Sequence, residues 1–178
     1  MKTIQVPVRE QVSPESQTIF DQMQKRLGKV PNLYATIGYS GSALKGFVDF
    51  EAALNHGVFS GKEREAIALI VSEINSCAYC LAGHTLAAMK NGFSKEDTLN
   101  IRRGVTADAK LNAIIGLAKS VTVNQGHADV EALENFYAAG FAEDGVMELI
   151  GLVTVRIFTN YVFALTEIPV DFPPAERI

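Results

Sequence analysis

Cysteine is scarce in this chain: 178 residues contain two, Cys77 and Cys80. Two thiols at x-x spacing exclude a structural disulfide framework and point to redox or metal chemistry. Histidine is nearly as scarce, at three residues, and only His84 lies near the cysteines; His56 and His127 are distant in sequence. The clustered set is therefore one ligand short of an obvious four-coordinate zinc site. Basic residues are not in excess: 16 Lys and Arg stand against 20 Asp and Glu, for a net charge of −4. That argues against a nucleic-acid stripe or a polybasic membrane anchor. The start, Met1-Lys2-Thr3-Ile4-Gln5-Val6-Pro7, lacks the apolar run of a secretory signal, so a cytoplasmic protein is expected. An uninterrupted apolar span is missing too. Residues 146–165 come nearest, but Glu148, Arg156 and Asn160 fall inside them; this reads as a core helix and not as a membrane crossing.

What is present is a run of helices with little sign of strands. Hydrophobic residues make up 48% of the chain, enough to bury a substantial core in one domain over 1–178. After an extended arm at 1–13, Ser13 and Pro14 open a helix that Gly28 closes. A brief helix follows Pro31, and another runs from Ser40 toward Gly57. Ser60-Gly61-Lys62-Glu63 is a capping box that opens a helix apolar nearly all round, from Ala66 to Val71 and at Ile74. Such a helix is expected deep inside. A cysteine helix should end near Lys90, a short one should start at Ser94, and three more are read over 107–123, 128–139 and 142–165, before a Pro-rich tail. The expectation is an all-α compact bundle of about seven to nine helices. Aligning Gly57 with Gly140 also pairs Glu65 with Glu148 and Ile74 with Ile157, and puts Cys77 on Asn160. This suggests a duplicated helical unit whose second copy lacks the thiols.

The chemistry concentrates between Glu65 and His84. Asn75 and Ser76 are good N-caps, which would place Cys77 and Cys80 in a first helical turn. Free amides and the dipole there favour a thiolate. Cys80 and His84 are i and i+4 and so share a face. Glu65 lies on the preceding helix; if that helix folds back antiparallel, its carboxylate reaches His84 and fixes its tautomer or exchanges a proton with it.

At these residues the chain resembles the alkylhydroperoxidase D-like family of the carboxymuconolactone decarboxylase superfamily. The family signature is Glu-x11-Cys-x-x-Cys-x-x-x-His, and Glu65, Cys77, Cys80 and His84 match it position by position. The close match runs from Ser60 to Gly92, within a catalytic core at about 40–125. A looser one, to peroxidase-related members, takes in Pro31-Asn32-Leu33-Tyr34 and Asp171-Phe172-Pro173. Some members carry a second histidine between the cysteines, where this chain has Tyr79, so that residue's relay role does not carry over.

The resemblance implies a helical bundle and a thiol-dependent peroxidase. Cys80 would attack the hydroperoxide and Cys77 would resolve the sulfenic acid as a disulfide. Glu65 and His84 would relay protons, and an external dithiol would reopen the disulfide. It implies no bound cofactor, and assembly as a homo-oligomer, a dimer, trimer or hexamer. Other readings stay open from the residues alone. One is a half zinc site on Cys77, Cys80 and His84; another is a pair of inert buried thiols. A third is a non-redox lactone decarboxylase or isomerase, and a fourth a non-catalytic oligomer with vestigial thiols. Glu63 and Glu73 are expected to face solvent, though either could take the place of Glu65 as the partner of the site, and Arg102-Arg103 is expected to form a solvated helix end.

Overall fold

Nine α-helices carry most of residues 4–178, which the computed structural model describes. They are α1 (Pro14–Leu27), α2 (Asn32–Ile37), α3 (Gly41–Leu54), α4 (Gly61–Ile74), α5 (Ala78–Lys90), α6 (Lys95–Arg103), α7 (Ala109–Val123), α8 (Val130–Ala138) and α9 (Glu143–Thr166). No strand occurs among the described residues, and the molecule is an all-α bundle. The arm expected over 1–13 is extended where described, apart from a single 3-10 turn at Arg9–Gln11; positions 1–3 lie outside the described residues.

Local chemistry sets the helix starts. Ser60 Oγ accepts from the Glu63 amide at 3.2 Å, while the Glu63 carboxylate accepts from the Ser60 amide at 2.7 Å. The first-turn donors of α4 are thus satisfied reciprocally. Ser94 and Asp97 repeat the device at α6, and Asp108 caps α7. Helix α3 stops at Leu54 with Asn55 as its cap, short of the Gly57 anticipated as its end. Gly57 has another task. A Cβ there would stand 1.8 Å from Glu148 Oε2, because that carboxylate accepts from the Val58 amide at 2.8 Å. The glycine lets α9 dock against the α3–α4 connection.

Two apolar cores result. The larger surrounds α4, whose residues from Ala66 to Ser72 are all buried and which packs against α5, α6, α7 and α9. An all-round apolar helix can be satisfied only at such a centre. The smaller core gathers Phe20, Met23, Leu33, Leu44 and Phe47 from α1, α2 and α3 with Val155 of α9. Cys77, Tyr79 and Cys80 belong to this second core, while Leu81 and Ala88 of the same helix belong to the first. The start of α5 is therefore held between two packed bodies. Helix α9 runs unbroken through residues 158–160, the positions that the proposed internal alignment sets against the break between α4 and α5. It is long and apolar enough to cross a membrane by length and composition, yet its Leu149, Leu152 and Val153 pack into the first core.

Candidate active site

The break between α4 and α5 builds the site. Asn75 ends α4, Ser76 takes a left-handed φ of 51°, and the Cys77 amide donates back to Ser72 O at 2.9 Å. A serine at that φ is strained, and such strain gathers at functional turns. Neither Asn75 nor Ser76 caps α5, contrary to expectation. Asn75 Nδ2 is committed to Asn160 Oδ1 at 2.8 Å. Cys77 is itself the N-cap, its sulfur accepting from the Cys80 amide at 3.4 Å. Cys80 thus sits in the first turn, where backbone donors are unpaired and the helix field favours negative charge.

The two thiols are made unequal by their surroundings. The acidity of Cys80 is set first by a hydrogen bond from the Cys77 thiol, which outweighs burial; His84, Thr159 and Asn160 add to it, and the pKa falls to about 6. Cys77 moves the opposite way: giving its hydrogen to Cys80, and burial after that, push its thiol up. Thr159 Oγ1 lies 3.7 Å from Cys80 Sγ. One sulfur is therefore poised as a thiolate and its neighbour as a thiol that donates to it. Both are buried, with exposures of 2% for Cys77 and 4% for Cys80.

Helix α4 does fold back on α5, and Glu65 meets His84: Oε2 and Nδ1 are 2.8 Å apart. The far ring nitrogen, Nε2, lies 3.1 Å from Arg156 Nη1. A guanidinium has only donors, so Nε2 must accept. Nδ1 then carries the hydrogen and donates it to Glu65, which assigns the tautomer. Arg156, 8% exposed, is paired in turn with Glu51 of α3, whose other oxygen accepts from Tyr34 at 3.3 Å. Burial raises the Glu51 carboxyl, but the Arg156 charge overcomes it and holds the group below its ordinary value. Four elements thus meet around one imidazole.

Cys80, His84, Glu65 and Arg156 open onto a shared cleft of about 430 Å³, walled by Tyr34, Tyr79 and Phe172 among others. Cys77 is not among its lining residues. Tyr79 occupies the place between the cysteines with its ring packed and its hydroxyl donating to Asp171 at 2.5 Å.

Sequence reasoning missed Glu51, Arg156, Thr159 and Asn160. The signal was present: Arg156 and Asn160 are polar residues inside the most apolar stretch, which points to a buried polar partner. Three surface assignments also change. Arg102 is buried, its Nε donating to Glu73 at 2.7 Å and its Nη1 to Glu176 O at 2.6 Å. Glu73 is consequently that arginine's counter-charge. Glu63, besides its part in the cap, pairs with Lys110 at 2.9 Å. His56 and His127 lie away from the cleft's lining, and among the described residues no group of three or more His, Cys, Asp or Glu side chains is arranged to hold a metal ion.

Residues 42–122, from α3 to α7, match the model of the Carboxymuconolactone decarboxylase family. No curated protein matches the chain significantly. Solved structures do. An uncharacterized peroxidase-related protein from Silicibacter sp. TM1040 is 24% identical over 97% of this chain and 93% of its own, with a TM-score of 0.79. The debrominase Bmp8, as a cysteine-to-alanine variant in complex with 2,3,4-tribromopyrrole, is 18% identical over 96% and 93%, with a TM-score of 0.80. A peroxidase-related protein from Ralstonia eutropha JMP134, described as an alkylhydroperoxidase core, is 17% identical over 93% and 90%, with a TM-score of 0.84. At such identities these structures speak to the fold. The family match covers the Glu65–His84 constellation, so residues 42–122 are those of a carboxymuconolactone decarboxylase-like segment, and the structural match over nearly the whole chain gives it an alkylhydroperoxidase D-like fold.

Proposed function

We propose that the protein is a thiol-dependent peroxidase that reduces hydroperoxides through its Cys-x-x-Cys pair. The observation that carries this reading is Cys80, an acidified first-turn thiol that opens on a cleft while its partner stands behind it as a hydrogen-bond donor. The Cys80 thiolate attacks the distal peroxide oxygen and the O–O bond breaks. An alkoxide leaves, takes a proton, and a sulfenic acid remains on Cys80. The Cys77 thiol then attacks that sulfur; water departs and the disulfide closes. An external dithiol returns two electrons by exchange. No bound cofactor is required.

The leaving oxygen's proton is assigned to the Glu65–His84 pair, which lines the same cleft. Both ring nitrogens of His84 are engaged at rest, so the transfer requires one bond to be exchanged. The Arg156 bond is the one to yield, because Arg156 keeps Glu51 as its charge partner; the freed Nε2 takes the proton that the Cys80 thiol gives up on ionising, and the resulting imidazolium, held by Glu65, passes that proton to the leaving oxygen. A cytoplasmic setting, where thiols are kept reduced, suits the cycle, and a homo-oligomer is proposed as the working form.

The test is stoichiometric. Reduced protein should lose both thiols on adding hydrogen peroxide or a bulky organic hydroperoxide, and the Cys77→Ser/Cys80→Ser variant should consume neither. Retention of both thiols with either peroxide sinks the proposal. Tribromopyrrole serves as the counter-substrate: bromide release with disulfide formation, and no response to peroxides, would turn the reading to dehalogenation.

A further inference from the structure

The C-terminal tail is not a loose end. Asp171 is held at four points: its carboxylate accepts from Tyr79 Oη at 2.5 Å, from Lys29 Nζ at 2.9 Å and from the Asn32 amide at 3.4 Å, and its backbone oxygen accepts from Lys29 Nζ at 2.5 Å. Asn32 Nδ2 also donates to Pro169 O at 3.0 Å. Farther along, Glu176 pairs with Lys95 at 2.5 Å and its carbonyl takes the Arg102 bond. Between these anchors Phe172 lies edge-on to Tyr79, with ring centroids 5.6 Å apart, and under the Lys29 ammonium at 4.1 Å. A Cβ on Gly83 would stand 3.7 Å from the Phe172 ring, so the tail crosses α5 directly above the backbone between Cys80 and His84. Phe172 is one wall of the cleft.

We propose that the tail is the specificity-determining wall of the Cys80 cleft: Asp171 fastens it to Tyr79 and Lys29, and Phe172 sets how bulky a molecule can reach the sulfur. The residue between the cysteines is thereby a fastening point for the tail. The inference rests on the peroxidase reading only for what the wall selects, since access to Cys80 can be measured without any peroxide.

Reduced full-length protein is alkylated with N-ethylmaleimide, which is small, and in parallel with fluorescein maleimide, which carries the same reactive group and is bulky, and adducts on Cys80 are followed by mass spectrometry. Phe172→Ala removes the wall and leaves every hydrogen bond of Asp171 in place; Asp171→Asn weakens the fastening. Loss of one charge-assisted hydrogen bond from a local opening corresponds to about tenfold. Asp171→Asn should raise the rate of bulky relative to small reagent by about that factor, and Phe172→Ala, which removes the wall itself, should raise it at least as much, with the helical circular dichroism unchanged. A ratio in Phe172→Ala equal to that of the native protein overturns the proposal, as does native protein that takes both reagents equally fast. If the ratio shifts but the native protein consumes no hydroperoxide, the wall stands and the peroxidase reading fails.

Discussion

Cys80 and Cys77 are chemically the same side chain, and the turn makes them different. The largest influence on Cys80 is the hydrogen bond from Cys77, so in the proposed cycle the thiol that resolves would also be the one that activates. The reactive form is the thiolate, and its fraction grows as pH rises. Alkylation of Cys80 should therefore climb through about pH 6 and level off near neutrality. Cys77→Ala deletes the leading donor while burial remains, which should move the midpoint upward toward an ordinary thiol; an unmoved midpoint would show that Cys77 is not what acidifies Cys80. Cys77→Ser should still react once with peroxide and stop at a sulfenic acid on Cys80, found with a sulfenate trap, whereas Cys80→Ser should react slowly. A first-turn position for Cys77 would put it at the open mouth of α5. Its burial and its absence from the cleft mean that it waits behind Cys80 instead. Glu65→Gln and His84→Asn should keep the fold and slow the peroxide step by about 10²–10⁴, as for a lost general acid–base group. Stopped-flow rates within a few-fold of native for both would remove the pair from the mechanism.

Helices α3 and α9 are joined across the smaller core by Glu51 and Arg156, and this contact reaches the imidazole. Arg156 is buried, so removing its counter-charge leaves an uncompensated cation inside the protein. Glu51→Gln should cost about 3–5 kcal/mol in urea unfolding, the usual range for breaking a buried pair from one side. Glu51→Gln/Arg156→Met should recover much of that loss, because both charges are then gone. A near-zero effect of the single substitution would mean that water reaches the pair. How much of this was readable from the chain follows from distance along it. The α4 cap, its all-round burial and the Glu65–His84 meeting were legible because capping boxes, helical periodicity and a helical hairpin are local patterns. The Arg156 bond to His84 spans 72 residues and the Tyr79 bond to Asp171 spans 92. A polar residue in an apolar run announces that it has a partner and does not say which. The cap of α5 was misread for a related reason: Asn75 has the right side chain for a cap, but Asn160, far along the chain, had taken it.

At the scale of the molecule, α9 has two faces. One carries Leu149, Leu152 and Val153 into the larger core. The other leaves Met147, Ile150, Phe158, Tyr161 and Leu165 exposed, at steps of three, eight, three and four residues with the exposed Thr154 in the long step, and with Tyr161 at 64% and Leu165 at 79%. That spacing makes a single stripe along the helix. Isolated exposed apolar side chains are ordinary, but several of them on one helix face, here interrupted once by Thr154, mark a contact surface. A second copy of the chain is the occupant expected here, since a stripe on a subunit can meet its own equivalent across a two-fold axis. Sedimentation at micromolar concentration should accordingly give a multiple of 19.3 kDa. Tyr161→Lys/Leu165→Lys places two cations on the stripe without touching the core and should return the protein to a monomer, with α-helical content retained. A native protein that already sediments at 19.3 kDa would reject the assembly outright. An oligomer indifferent to the double substitution would place its interface on another face. Because Arg156, Thr159 and Asn160 project from the same helix into the site, burying the outer stripe should also steady the inner one. The monomeric variant is therefore expected to alkylate at Cys80 with a pH midpoint displaced upward from that of the native protein, and an identical midpoint would show that the two faces of α9 act independently.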